Sequence, residues 1–221
     1  MSTAKQYVID SLSTQESWRL FRIMSEIVDG IENLSDLQNS VSIFGSARTP
    51  SDHPMYQEAE EIARLLSEAG FGVITGGGPG IMEAGNKGAQ EADGTSVGLS
   101  IQLPMEQGSN PFIDIECNFK YFFVRKLMFI KYSMAYVVMP GGFGTLDELS
   151  EAFVLRQTNK IKPFPIILYK SEFWNGLLDW TRDQMVASGY ISDEELDAMV
   201  ILDSPEEVVQ YIIEHSPDVL D

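Results

Sequence analysis

"VVMPGGFGTLDEL", residues 137–149, runs from β-branched and apolar residues into glycines and then into acids. Ala135 to Met139 is a short, mostly apolar run, as a buried parallel strand would be. Thr145-Leu-Asp-Glu148 fits the helix-opening pattern in which Thr145 serves as N-cap and an acid follows three residues on. A strand, a tight glycine turn and a helix N-terminus together make a site where backbone N–H groups point at a bound phosphate.

Outward from this stretch the chain alternates. Upstream, Val41–Phe44 reads as a strand, Met55–Ala69 as a helix, and Phe71–Thr75 as a strand ending in the glycine cluster at 76–80. A helix over Ile81–Ala92, a strand over Ser96–Ile101, an irregular stretch to Asn118 and a helix over Phe119–Ser133 follow. Downstream come a strand at Pro165–Tyr169, a helix at Phe173–Ala187, a short strand at Met199–Leu202 and a last helix from Pro205 to Glu214. Strands alternating with helices of this length predict an α/β fold, a parallel sheet covered on both faces. Ligands in such sheets sit outside the carboxyl ends of the strands, where the strand order reverses. Two strands here end in glycine clusters, so both clusters are expected at one crevice.

Before the sheet, Thr14–Leu37 has helical periodicity, with Leu20, Ile23, Met24, Ile27 and Ile31 on one face and Trp18 and Phe21 outside it. This arm either covers the main domain or meets a partner subunit. The predicted organisation is a tail and helical arm over 1–37, an α/β domain carrying both glycine clusters over 38–215 and a C-terminal tail over 216–221.

The 221 residues suffice for one well-buried α/β domain. Fifteen Lys and Arg stand against 33 Asp and Glu, a formal net charge of −18. That balance argues against nucleic acid or an anionic membrane as partner, yet leaves room for a small anion if the few cations cluster. One cysteine and two histidines argue against an internal disulfide and a Cys/His metal centre, and no cofactor is expected. With neither a signal-peptide core nor a run long enough to span a bilayer, the expected compartment is the cytoplasm.

The cations do cluster. "FKYFFVRKLMFIKYS", residues 119–133, holds Lys120, Arg125, Lys126 and Lys131, four of the 15 basic residues. A window of this size would hold about one on average. The apolar residues among them belong to core or to a subunit interface, and Arg125 between them calls for an anion. Arg156 and Lys160 read as a solvated face. Gly76–Gly80 serve a turn, a nucleotide contact or both. Asp147 reads as a helix-dipole partner. Glu148 is either a capping-box acid or a crevice carboxylate, since with Glu151 it lies away from the stripe of Leu146, Leu149 and Phe153.

Together "GGGPGIMEAGNKGA" and "PGGFGTLDE" resemble the LONELY GUY family, also labelled "possible lysine decarboxylase", in its longer bacterial form. The pattern PGGxGTxxE is matched by Pro140, Gly141, Gly142, Gly144, Thr145 and Glu148, and the family's Arg-Lys pair by Arg125 and Lys126. The resemblance covers roughly Val41–Glu214. It implies a Rossmann-like doubly wound sheet, a homodimer or higher homo-oligomer, and hydrolysis of nucleoside 5′-monophosphates, AMP or cytokinin riboside monophosphates, to free base and ribose 5-phosphate. The roles it implies are Arg125 and Glu148 as catalytic, with Gly77, Gly78, Gly80, Glu106, Lys126, Gly142, Gly144 and Thr145 binding substrate. No lysine in the motifs stands out for a pyridoxal cofactor, against the decarboxylase label. The alternatives are a non-hydrolytic nucleotide or molybdenum-cofactor carrier, and a regulatory nucleotide sensor.

Overall fold

The computed structural model describes residues 16–103 and 108–216. Within them lie α1 (Glu16–Asn33), β1 (Ser40–Phe44), α2 (Pro54–Glu68), β2 (Gly72–Thr75), α3 (Ile81–Glu91), β3 (Ser96–Ile101) and β4 (Ile115–Phe119). The second half adds α4 (Phe122–Tyr132), β5 (Ser133–Val138), α5 (Phe143–Gln157), β6 (Ile166–Tyr169), α6 (Ser171–Thr181), α7 (Asp193–Leu196), β7 (Met199–Leu202) and α8 (Pro205–His215). The seven strands form one sheet in the order β4-β3-β2-β1-β5-β6-β7. Every pairing is parallel. This is the predicted Rossmann-like doubly wound sheet. Chain order runs outward from β1 through β2 to β4, then restarts on its other side at β5, so strand order reverses between β1 and β5.

The central strands are buried on both faces, and their period-two alternation feeds two cores. On one face Phe44, Tyr136, Val138, Ile166 and Leu168 pack beneath α4, α5 and α6, with Leu34 just past α1. On the other, Val41, Ile43, Ala135, Val137 and Ile167 pack beneath α2, α3 and α8. Local chemistry starts the helices. His53 caps α2, its Nδ1 accepting from the Met55 amide at 3.1 Å, with Pro54 at the first position. Ser204 and Pro205 do the same for α8.

Three expectations change. The stretch predicted as irregular before Asn118 contains β4, whose Cys117 and Phe119 face the core while Glu116 and Asn118 are exposed. Those polar residues on an outermost strand erased the β signal. The helix predicted over Phe173–Ala187 ends at Thr181 and continues as a wider π turn, Arg182–Val186. In α1 the packed residues are Ile23 and Ile27 with Gly30, and Leu34 follows. Leu20, Met24 and Ile31, predicted on the packed stripe, are exposed with Trp18 and Phe21. The arm therefore does pack on the sheet domain, against α4 and β4, yet leaves an apolar row in solvent. No helix among the described residues is long and apolar enough to cross a membrane. Residues 1–15 and 217–221, which hold most of the two expected tails, lie outside the described residues.

Candidate active site

The loops after β1, β2 and β5 meet where the strand order reverses. Backbone bonds stitch them together: Ser46 N–H to Pro140 O at 3.1 Å, and Ile81 N–H to Ser46 O at 3.1 Å. The second glycine motif leads from β5 into α5, but the helix begins earlier than its sequence suggests. Gly142 is the N-cap and Phe143 the first helical residue, so Thr145 is not the cap predicted for it. Thr145 sits inside the first turn, buried against Gly141. Its amide and that of Leu146 bond to Gly142 O at 3.0 and 3.1 Å.

The cap lies three residues before the predicted one, and the buried face of α5 runs through Thr145, Glu148, Leu149 and Ala152 rather than along Leu146, Leu149 and Phe153. Predicted to lie away from the buried stripe, Glu148 is only 5% exposed. Its Oε1 lies 3.5 Å from Arg125 Nη2, a long charge-assisted contact. Burial pushes the Glu148 carboxyl above the usual carboxylate range, with Arg125 and then Lys126 pulling it partly back. The Arg125 guanidinium lies 5.5 and 5.6 Å from the ring centres of Phe122 and Phe129. Two aromatic rings of α4 thus flank the cation that faces this buried acid.

Gly142 and Gly144 have a different character from the other motif glycines. A Cβ at either would meet nothing within 4 Å, and neither has a positive φ, so packing does not require glycine there. Open space above a helix N-terminus, whose first amides have no intrahelical acceptor, suits a close-approaching anion. In the first motif, Gly77 and Gly80 have φ of +72° and +70°, and a Cβ on Gly77 would come 2.5 Å from Ser100 Oγ. Those two glycines are needed by the turn. The loop still faces the site, since a Cβ on neighbouring Gly76 would stand 3.7 Å from Arg125 Nη1. Gly78 packs against Met82.

A buried polar network locks this first loop, and the sequence reading missed it. Asn86, fully buried on α3, accepts from Thr75 Oγ1 at 2.6 Å and Asn110 Nδ2 at 2.9 Å, and donates to Ser96 Oγ at 2.9 Å and Val97 O at 3.1 Å. Asn110 Nδ2 also reaches Gly77 O at 3.1 Å and Gly78 O at 3.0 Å. The only sequence signal for Asn110 is the Asn-Pro dipeptide that marks a turn.

The remaining candidates divide. Lys126, expected on substrate, is instead 2.8 Å from Asp147 and 2.9 Å from Glu151, which also gives Asp147 a partner beyond the helix dipole. Arg156 is no solvated residue: its Nη1 bonds Phe164 O and Ala198 O, both at 2.8 Å, tying the end of α5 to the starts of β6 and β7. Lys160 is exposed. Glu106 lies outside the described residues. Among those described, no group of three His, Cys, Asp or Glu side chains is arranged to hold a metal.

Residues 82–212 match the family described as "Possible lysine decarboxylase". An uncharacterized protein of Archaeoglobus fulgidus is 27% identical over 169 residues, 75% of this chain and 89% of its own. The cytokinin riboside 5′-monophosphate phosphoribohydrolase LOG3 of Arabidopsis thaliana is 33% identical over 94 residues, 42% of this chain and 43% of the relative. The Mycobacterium tuberculosis phosphoribohydrolase is 25% identical over 181 residues, 77% of this chain and 91% of that protein. Among solved structures, TM1055 superposes with a TM-score of 0.60 at 25% identity, covering 80% of this chain and 99% of the other. The molybdenum cofactor binding protein of Rippkaea orientalis reaches 0.60 at 22% identity, over 81% and 98%, a likeness of fold alone. With the match running through α3, the Arg125-Lys126 pair and the whole second glycine motif, the chain belongs to the "Possible lysine decarboxylase" family, that of the LONELY GUY proteins.

Proposed function

We propose that the chain hydrolyses the N-glycosidic bond of nucleoside 5′-monophosphates, AMP or cytokinin riboside monophosphates, to free base and ribose 5-phosphate. The observation that carries this reading is the Glu148 carboxylate, buried at a crevice between two glycine loops and facing Arg125 at 3.5 Å. Breaking this bond passes through a transition state with positive charge on the sugar, which a nearby carboxylate stabilises. Water adds its hydroxyl to C1′, the C1′–N electron pair leaves with the base, and the water's proton passes to Glu148, from which the departing nitrogen can take it. The 5′-phosphate sits at the start of α5 above Gly142 and Gly144, so binding energy remote from C1′ holds the ribose in place. Arg125 pairs with the phosphate or the ribose hydroxyls, and the Gly76–Gly80 loop walls the site.

The test is incubation of purified protein with AMP and a panel of other 5′-monophosphates, with free base and ribose 5-phosphate read by chromatography. Release abolished in Glu148→Gln supports the reading, and the panel ranks the bases. Nucleotide binding without release from any substrate overturns it in favour of a carrier or a sensor. For a carrier the same fold suffices, but a buried acid beside the anion site has no evident use. We also infer self-association of the chain, with the exposed apolar residues of α1 and α4, such as Trp18 and Phe123, as the shared surface. A monomer mass by light scattering at micromolar concentration would remove that inference.

A further inference from the structure

The helix that carries Glu148 bears two more acids beside it, Asp147 one residue before and Glu151 three residues after. Both are taken by a single ammonium from the facing helix: Lys126 Nζ stands 2.8 Å from Asp147 Oδ2 and 2.9 Å from Glu151 Oε2. The Lys126 side chain is 14% exposed, whereas those of Asp147 and Glu151 are 59% and 35% exposed. The cation is thus the buried member of the cluster, and two carboxylates already occupy it. A residue in this state is poorly placed to capture a phosphate. We infer that Lys126 is a positioning residue of the site, which clamps α5 to α4 through Asp147 and Glu151 and thereby sets the position and charge environment of Glu148. This rests on Glu148 being the reacting carboxylate.

The groups facing Glu148 can be named from each element around it. From α4 come Arg125 and Lys126, from its own helix Asp147 and Glu151, and from β5 the phenol of Tyr136, held neutral because burial and then the two glutamates raise it well above its ordinary range. Three carboxylates therefore share two cations, and both cations come from one turn of α4. Lys126 itself stays charged: burial alone would lower its ammonium, but Asp147 and Glu151 outweigh that and raise it. Without Lys126, two flanking carboxylates repel a third that is already pushed up by burial. Glu148 would then hold its proton to higher pH, and the enzyme would lose its base over the lower part of its working range.

The test follows the Glu148 carboxyl directly, by carbon-13 NMR titration of the nucleotide-free protein labelled at glutamate, with the resonance assigned through Glu148→Gln. Lys126→Met is expected to move the titration midpoint of Glu148 upward, and Lys126→Arg to return it to the wild-type position. Asp147→Asn/Glu151→Gln, with Lys126 retained, is expected to move it downward and serves in place of Lys126→Met if that variant does not fold. Where the protein turns over AMP, the acid limb of kcat/KM follows the same order, and KM changes less than about twofold. An unmoved midpoint overturns the inference whether or not the wild type hydrolyses any nucleotide. A raised KM with an unmoved limb returns Lys126 to the substrate. Absence of hydrolysis by the wild type, with the midpoints ordered as expected, refutes the phosphoribohydrolase reading and leaves the clamp standing.

Discussion

Replacing Glu148 with glutamine separates what the site does for catalysis from what it costs the fold. Two effects oppose each other in the change. The amide removes a buried negative charge, which favours the variant, and it weakens the contact with Arg125, which disfavours it. The carboxyl sits above its usual range, so desolvation outweighs the attraction of Arg125 and Lys126. Arg125 is also not stranded, because its contact to Glu148 is long, two aromatic rings flank it, and the glutamine oxygen can still accept from it. The sign with pH follows from linkage. A raised pKa means that the native state binds the proton more tightly than the unfolded chain. That contribution is full below the ordinary glutamate range and is lost as pH rises through the raised midpoint. Glutamine has no such loss. Glu148→Gln should therefore be more stable than the wild type at pH 8, by about 1 kcal/mol as active-site relief commonly gives, and equal to it at pH 4. For a chain of this length that is a rise in Tm of about 2–4 °C at pH 8. Turnover should fall at least about 100-fold, the scale of a lost general base. Thermal unfolding across pH 4–8, followed by circular dichroism beside the nucleotide assay, gives both numbers. A variant less stable than the wild type at pH 8 and equal to it at pH 4 would show that the Arg125 contact dominates, and the desolvation argument would be wrong.

Three further substitutions probe the surroundings. Gly144→Ala enters open space at a helix start without a positive φ, so the fold should be unharmed or slightly stabilised, while KM for AMP rises about tenfold or more; an unchanged KM would remove the phosphate from that loop. Asn110→Ala leaves the Gly77 and Gly78 carbonyls and Asn86 short of a donor, at a cost of about 1–3 kcal/mol by denaturant unfolding. A neutral result would mean that water replaces the amide. Tyr136→Phe deletes a fully buried hydroxyl with no hydrogen-bond partner among the described residues and should be neutral or stabilising by about 1 kcal/mol; a loss of turnover at unchanged stability would instead give the phenol a part in the site.

The fold was legible in the chain because its strands are buried on both faces, and continuous runs such as those at 135–139 and 165–169 cannot be mistaken for solvated structure. β4 escaped because an outermost strand keeps polar residues on its open side. The α1 stripe was misread for a related reason: periodicity identifies an apolar face, but that of α1 is wide, and only packing decides which of its residues are covered. At the site, residue types and spacing pointed to Arg125 and Glu148, which the structure brings within 3.5 Å of each other. They did not give Glu148 its burial, because that depends on which face of α5 packs against the sheet and α4. The pattern Thr-x-x-Glu imitates a capping box, and the backbone of Gly142 had already started the helix.

That early start links the motif's chemistry to its geometry. Had Thr145 capped the helix, Glu148 would sit where a capping acid reaches back to its own helix, spending its charge on a backbone amide. With the cap at Gly142, the hydroxyl of Thr145 turns inward, Glu148 moves under Arg125, and its neighbours Asp147 and Glu151 both meet Lys126. The three-residue advance of the cap therefore leaves the start of α5 free for an anion, while the face of α5 that carries Glu148 meets Arg125 and Lys126. The glycines that nothing in the packing demands, Gly142 and Gly144, lie at the same point. Unlike Gly77 and Gly80, they are not held to glycine by a positive φ, and the proposed function assigns the open space over the start of α5 to the 5′-phosphate.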